Sequence, residues 1–176
     1  RVFHEKTPDL NQLGVAHFDS PVSRAQLIAT LRYTRHNVYF EANNRLFSLS
    51  RELHAAFPNA KFIHLFRHPA NAVRSALSKP NVESYLQTNL RFAGSLAGTV
   101  QMTSLQRCCH YWKNVNQRIL DDLKALQEAG VPVMWLSFDD MISGDVSALA
   151  DFLGHDLAKV KRNPSHVGAV RSEGKY

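Results

Sequence analysis

The sequence predicts an α/β fold, a largely parallel sheet flanked by helices, within a single domain spanning residues 1–176. Three observations carry that prediction. Short apolar runs of strand length alternate with longer amphipathic stretches of helix length. The run Lys61–Phe66 (KFIHLF) is nearly continuous in apolar residues, as in a parallel strand covered on both faces. Proline and glycine stand at the joints between these segments. A sheet of this kind binds ligands beyond the carboxyl ends of its strands.

Taken in order, Val38-Tyr39-Phe40 is a short β-prone run ending in Glu41. Arg45–Phe57 follows, with Leu46, Leu49, Leu53 and Ala56 spaced as one helical face, and Pro58-Asn59 breaks it. After the Lys61–Phe66 strand, Pro69 stands where a helix begins, and that helix runs to about Ser78. The stretch Asn81–Thr103 holds Gly94, Gly98 and many polar residues, and reads as loops or a short helix forming a mobile cover. Ser104–Glu128 is a long helix with Leu105, Cys108, Trp112, Val115, Ile119, Leu123 and Leu126 on one side, closed by Gly130. Val131–Phe138 is a second buried-type strand, and a helix from about Val146 to Leu153 follows it.

Composition narrows the class of function. The chain has 176 residues, 44% hydrophobic and 20% charged, which supplies a core and excludes intrinsic disorder. No run approaches the length of a membrane span, so the visible chain is expected to be soluble. The excess of 21 Lys and Arg over 15 Asp and Glu gives a net charge of +6 and favours an anionic ligand. The basic residues are spread rather than striped and carry no aromatic interleave, so nucleic acid is not the expected partner. His64 and His68 stand too far apart on a strand-to-loop path to share a metal, and Cys108-Cys109-His110 has no second pair, so no metal is expected.

The segment that carries chemistry is Lys61–Ser78. Its strand delivers Arg67 to the carboxyl edge of the sheet, and the first turn of the next helix places Ser75 eight residues later. A guanidinium fork and a hydroxyl near such a junction suit a phosphate monoester; the bland alternative is a surface arginine and a solvent-facing serine.

The pattern strand–Arg–x–Pro–x3–Val–x–Ser, here Arg67, Pro69, Val73 and Ser75, resembles the 3′-phosphate-binding segment of sulfotransferases that use PAPS (3′-phosphoadenosine 5′-phosphosulfate). Residues 133–154 look like that family's strand, acidic pair and Phe-Leu-Gly segment, and His110-Tyr111-Trp112 with Asn116 resembles its Trp-bearing helix. The resemblance covers roughly residues 38–154. It implies a P-loop-NTPase-like sheet and transfer of a sulfuryl group from PAPS to a hydroxyl or amine, with PAP as the spent nucleotide. The acceptor class stays open among glycan, lipid and small molecule. One departure is plain: the family's phosphate loop is not found upstream of Arg67. With the start at Arg1 rather than Met, this leads us to expect a chain that lacks its first strand and phosphate loop.

The resemblance also implies site residues. Phe3-His4-Glu5-Lys6-Thr7-Pro8 resembles the Glu-Lys-Thr/Ser-Pro motif of glycan sulfotransferases, but lies much farther upstream of Arg67 than that motif does. The strand at the matching distance ends in Glu41 and continues Ala42-Asn43. Lys6 falls instead near the catalytic Glu loop of the glycan enzymes. His4, Glu5 and Lys6 are therefore expected as the catalytic base-and-cation cluster, and Glu41 and Asn43 as substrate contacts. Arg67 and Ser75 are expected to hold the nucleotide, with Arg171 and Lys175 in a basic, glycine-bearing loop that closes over it. The competing readings are a noncatalytic nucleotide- or glycan-binding module of the same fold and a P-loop nucleotide kinase. The adjacent cysteines and the lack of a targeting segment point to the cytoplasm, or to the Golgi lumen if an anchor preceded Arg1.

Overall fold

A computed structural model describes residues 2–3, 20–32, 40–42, 44–93, 97–143 and 146–155. In chain order these form β1 (Val2–Phe3), α1 (Pro21–Arg32), β2 (Phe40–Glu41), a 3-10 turn (Asn44–Ser48), α2 (Ser50–Ala56), β3 (Phe62–Phe66), α3 (Pro69–Leu77), α4 (Val82–Phe92), α5 (Ser104–Glu128), β4 (Val133–Ser137), α6 (Phe138–Ser143) and α7 (Ser147–Leu153). The expected α/β class is found, with all described strand pairing parallel. The sheet is divided into two pairs, β1 with β2 and β3 with β4.

The β3–β4 pair is organised by α5. Phe62 lies opposite Val133 and His64 opposite Trp135, so these four side chains share one face. Phe62, Val133 and Trp135 pack there against Leu123, Leu126 and Ile119 of α5. The opposite face carries Ile63 and Leu65, which are 36% and 45% exposed. The expectation that this strand is covered on both faces is thus corrected. An unbroken apolar run reports what a strand can bury, and among the described residues only one layer of helices meets it.

Both ends of α5 are fixed by local chemistry. Thr103 caps it: its hydroxyl accepts from the Gln106 N–H at 3.3 Å, and the Gln106 side chain accepts from the Thr103 N–H at 2.9 Å. At the other end Gly130 is left-handed, with φ of 84°. The Gly130 N–H bonds to the Gln127 carbonyl and the Val131 N–H to the Leu126 carbonyl, both at 3.0 Å. Buried Val131 and Leu126 then touch, which completes a Schellman motif and turns the chain into β4. Leu105, expected on the apolar side, is 53% exposed in the first turn.

Two further expectations are corrected, and one helix is new. Arg45–Phe57 is two elements rather than one helix: Leu49 leaves the helical path at φ −119° and ψ 14° and is wholly buried against Leu27 and Leu31 of α1. The helix α1 has no counterpart in the sequence reading, although Ser20-Pro21 marks its start. Of the described residues between 81 and 103, the short helix is found, and it is core rather than a mobile cover. It is α4, whose Leu86 and Leu90 are completely buried with Val73 of α3 and Cys108 of α5. Beside that cluster the Tyr111 hydroxyl donates to Asn89 Oδ1 at 3.3 Å, and burial pushes its phenol up to about 12, so it stays neutral.

Because α4 is core, Leu90→Ala is expected to destabilise the protein by about 2–5 kcal/mol, read from a thermal or denaturant melt. A dispensable cover over residues 82–92 would leave the melt unchanged.

Candidate functional site

The carboxyl end of β3 is where the sequence-expected binding residues meet the fold. β3 ends at Phe66, and Arg67 and His68 lead directly into α3 at Pro69. Proline suits this first helical position because its missing N–H has no intrahelical acceptor there. His68 is the N-cap, its Nδ1 accepting from the Ala70 N–H at 3.3 Å. Arg67 is exposed, and its guanidinium carbon lies 5.2 Å over the ring of Phe138.

That contact follows from strand register. Phe66 lies opposite Ser137, so the next residue of each strand, Arg67 and Phe138, emerges at the same end of the pair. The strand expected over Val131–Phe138 stops one residue earlier, and Phe138 opens α6. Asp139 and Asp140 follow in the exposed first turn of α6, where the helix dipole favours acids.

Ser75 lies in the second turn of α3, not the first, about 9 Å along the axis from Pro69 at 1.5 Å per residue. Val73, Ala76 and Leu77 face the core, which turns Ser75 outward and leaves it exposed. Arg67 and Ser75 therefore lie on solvent-facing surface of one strand–helix unit, with the positive end of the helix between them. Nearby, Arg74 donates to Asn71 Oδ1 at 2.6 Å, which engages it within its own helix.

Behind this surface is a pair that the sequence did not disclose. Asn116 of α5 donates through Nδ2 to the Trp112 carbonyl at 2.7 Å, so its Oδ1 faces His64. The His64 Nε2–H donates to that oxygen at 3.1 Å, which fixes the tautomer. His64 also meets Trp135 edge-on at 5.7 Å between ring centroids. Burial holds its pKa below the ordinary imidazole value, with the Asn116 hydrogen bond acting in the opposite sense. In sequence His64 and Asn116 stand in two separate segments of the resemblance, 52 residues apart, with nothing to join them.

Glu41 terminates β2, half-buried. His4, Glu5, Lys6, Asn43, Arg171 and Lys175 lie outside the described residues. Among the described residues no group of three or more His, Cys, Asp or Glu is placed to hold a metal ion. No described helix is long and apolar enough to cross a membrane. A shallow depression of about 510 Å³ lies elsewhere, against the outer side of α5, lined by Asn114, Gln117, Arg118, Asp121 and Asp122.

A profile described as the sulfotransferase family matches residues 11–158, which include the strand, the Arg67 junction and α5 through α7. The chain belongs to the sulfotransferase family. No curated protein and no solved structure matches it. The expected family is thereby established, and with it a transferase-type domain of mixed α/β structure.

The lowered His64 pKa in this sulfotransferase-family domain makes a signed prediction. The neutral imidazole favours the fold above the ordinary value of about 6.5, and that contribution is lost as pH falls through it toward the folded-state value. Between pH 8 and pH 5 the melting temperature should fall more steeply for the unsubstituted chain than for His64→Leu. Parallel pH profiles would contradict this.

Proposed function

We propose that this domain binds PAPS at the carboxyl end of β3 and transfers its sulfuryl group to a hydroxyl or amine of an acceptor. The observation that carries the reading is Arg67: an exposed guanidinium at the end of a parallel strand, next to the N-terminus of a nine-residue helix, in a sulfotransferase-family chain. The donors available there fit a phosphate monoester. The fork of Arg67 offers two parallel N–H bonds, the helix start adds a favourable field, and the Ser75 hydroxyl offers one further bond.

In the transfer an acceptor oxygen or nitrogen forms a bond to sulfur as the bond from sulfur to the bridging phosphate oxygen breaks, and PAP departs. Positioning and cationic stabilisation carry most of such a displacement. In this proposal Lys6 stabilises charge on the transferred group or orients the acceptor. Glu5 or His4 takes the acceptor proton. Arg171 and Lys175 close over the nucleotide, and Glu41 and Asn43 contact the acceptor.

A second reading is a nucleotide-binding module of the same fold without transfer. Binding and transfer are therefore measured separately. Calorimetric titration of PAP should give a micromolar dissociation constant. Arg67→Ala should weaken it roughly ten- to hundredfold, the worth of a hydrogen-bonded charge, and Ser75→Ala roughly two- to tenfold. Undiminished binding by Arg67→Ala would end the proposal for this site. PAP binding without sulfuryl transfer from PAPS to any of a panel of hydroxyl and amine acceptors would select the second reading.

A further inference from the structure

We infer that Arg74 and Lys79 steer the nucleotide toward Arg67 without holding it, an inference that rests on the PAPS reading of the β3 end. An anion approaching a protein responds to the summed field of its surface. Exposed charges that never touch the ligand therefore set how fast it arrives. PAP carries two phosphate monoesters, each worth roughly −1.5 to −2 charges at neutral pH, so a field around its site acts on it strongly.

The field at this end of the sheet is one-sided. From Leu53 to Val82 the sequence has no Asp or Glu, in a chain that has 15 of them. That stretch supplies β3 and α3, and beyond the strand end it exposes Arg67, Arg74 and Lys79. The ion pairs among the described residues are Arg24 with Glu52, Arg51 with Asp122 and Arg107 with Glu83, and none draws on these three cations. What Arg74 and Lys79 touch is uncharged. Arg74 donates to Asn71 Oδ1 at 2.6 Å, and Lys79 Nζ lies 4.8 Å over the Tyr85 ring. Such contacts hold a cation in place and leave its charge uncancelled. On the other side of the strand end α6 opens with Asp139 and Asp140, both exposed. An anion is thus attracted along α3 and repelled along α6, and the path of attraction ends at Arg67.

Reach decides whether these charges matter. Along the path of α3, Arg74 lies about 7.5 Å and Lys79 roughly 15 Å from Pro69 at 1.5 Å per residue. Exposed charges act over about 30 Å at 0.01 M salt and only about 3 Å at 1 M. Steering by Arg74 and Lys79 is therefore strong at low ionic strength and extinguished at high, whereas a direct contact with the ligand would survive in part.

The test separates arrival from departure, by stopped flow with a fluorescently labelled PAP and the full chain. At about 0.01 M salt the double variant Arg74→Gln/Lys79→Gln should lower kon roughly three- to tenfold and change koff by less than about twofold. Asp140→Asn, which removes a repelling charge, should raise kon roughly 1.5- to threefold. The charge-keeping double variant Arg74→Lys/Lys79→Arg should associate as the unsubstituted chain does. At about 1 M salt all four chains should converge on one kon. Thermal melts identify any variant whose fold has been weakened.

An unchanged kon in the Gln double variant, a loss that resides in koff, or one that persists at about 1 M salt would each overturn the steering role. So would failure of the charge-keeping variant to restore the rate, or a rate that does not rise in Asp140→Asn. All of these outcomes leave the PAPS reading intact, since that reading stands or falls on Arg67→Ala. Failure of the unsubstituted chain to bind PAP in calorimetry would remove the reading and the steering role with it.

Discussion

The parallel pairing of β3 with β4, clamped on one face by α5, is the constraint on which the rest of the structure depends. Parallel strands cannot be joined by a tight turn, so everything between Phe66 and Val133 is a crossover whose length and helices are set by the need to return. The register decides two things together. It groups Phe62, His64, Val133 and Trp135 as the face that meets α5, and it brings Arg67 and Phe138 to the same end. A shift by one residue would reverse the faces of a strand and separate those two side chains. Core and candidate site therefore rest on one alignment.

Polarity is distributed in keeping with that arrangement. Behind the strand ends the ionisable groups are held in neutral forms: burial lowers the pKa of His64 and raises those of Tyr85 and Tyr111. Charge is kept to the periphery. Arg24 pairs with Glu52 at 3.2 Å, Arg51 with Asp122 at 2.9 Å, and Glu83 accepts from Ser104 and Arg107, which hold its carboxyl below the usual carboxylate range. Exposed pairs of this sort contribute little to stability and serve mainly to orient neighbouring elements. A cation resting on an aromatic ring at the strand ends differs from these, because no acid among the described residues pairs with it.

Local chemistry was legible in the sequence and tertiary coverage was not. Pro69, Thr103, Gly130 and Gly154 mark helix ends through steric and capping rules that act within a few residues, and the elements they bound were recovered nearly to the residue. The helix α4 was read only as an alternative to loops because Glu83, Ser84, Gln87, Thr88 and Asn89 dilute its apolar face. The signal was nevertheless present in Val82, Leu86 and Leu90, spaced four apart. The open face at Ile63 and Leu65 could not be read, since an apolar run states a capacity for burial and says nothing of what arrives to provide it. At the candidate site Arg67 and Ser75 were visible as a motif. The Phe138 ring beneath the arginine and the His64–Asn116 bond were not, because each joins residues distant in sequence through a register that only the folded chain defines.

The crossover that joins β3 to β4 also bears on how the chain folds. Thr103 and Gly130 delimit α5 by contacts within a few residues, so this helix can be nucleated and stopped without help from distant segments. Pairing Phe62 with Val133 must instead close a loop of about seventy residues, an entropic loss recovered only once the apolar faces meet. The pairing of these two strands is thus a long-range closure, and the cation-and-ring pair at their ends depends on it.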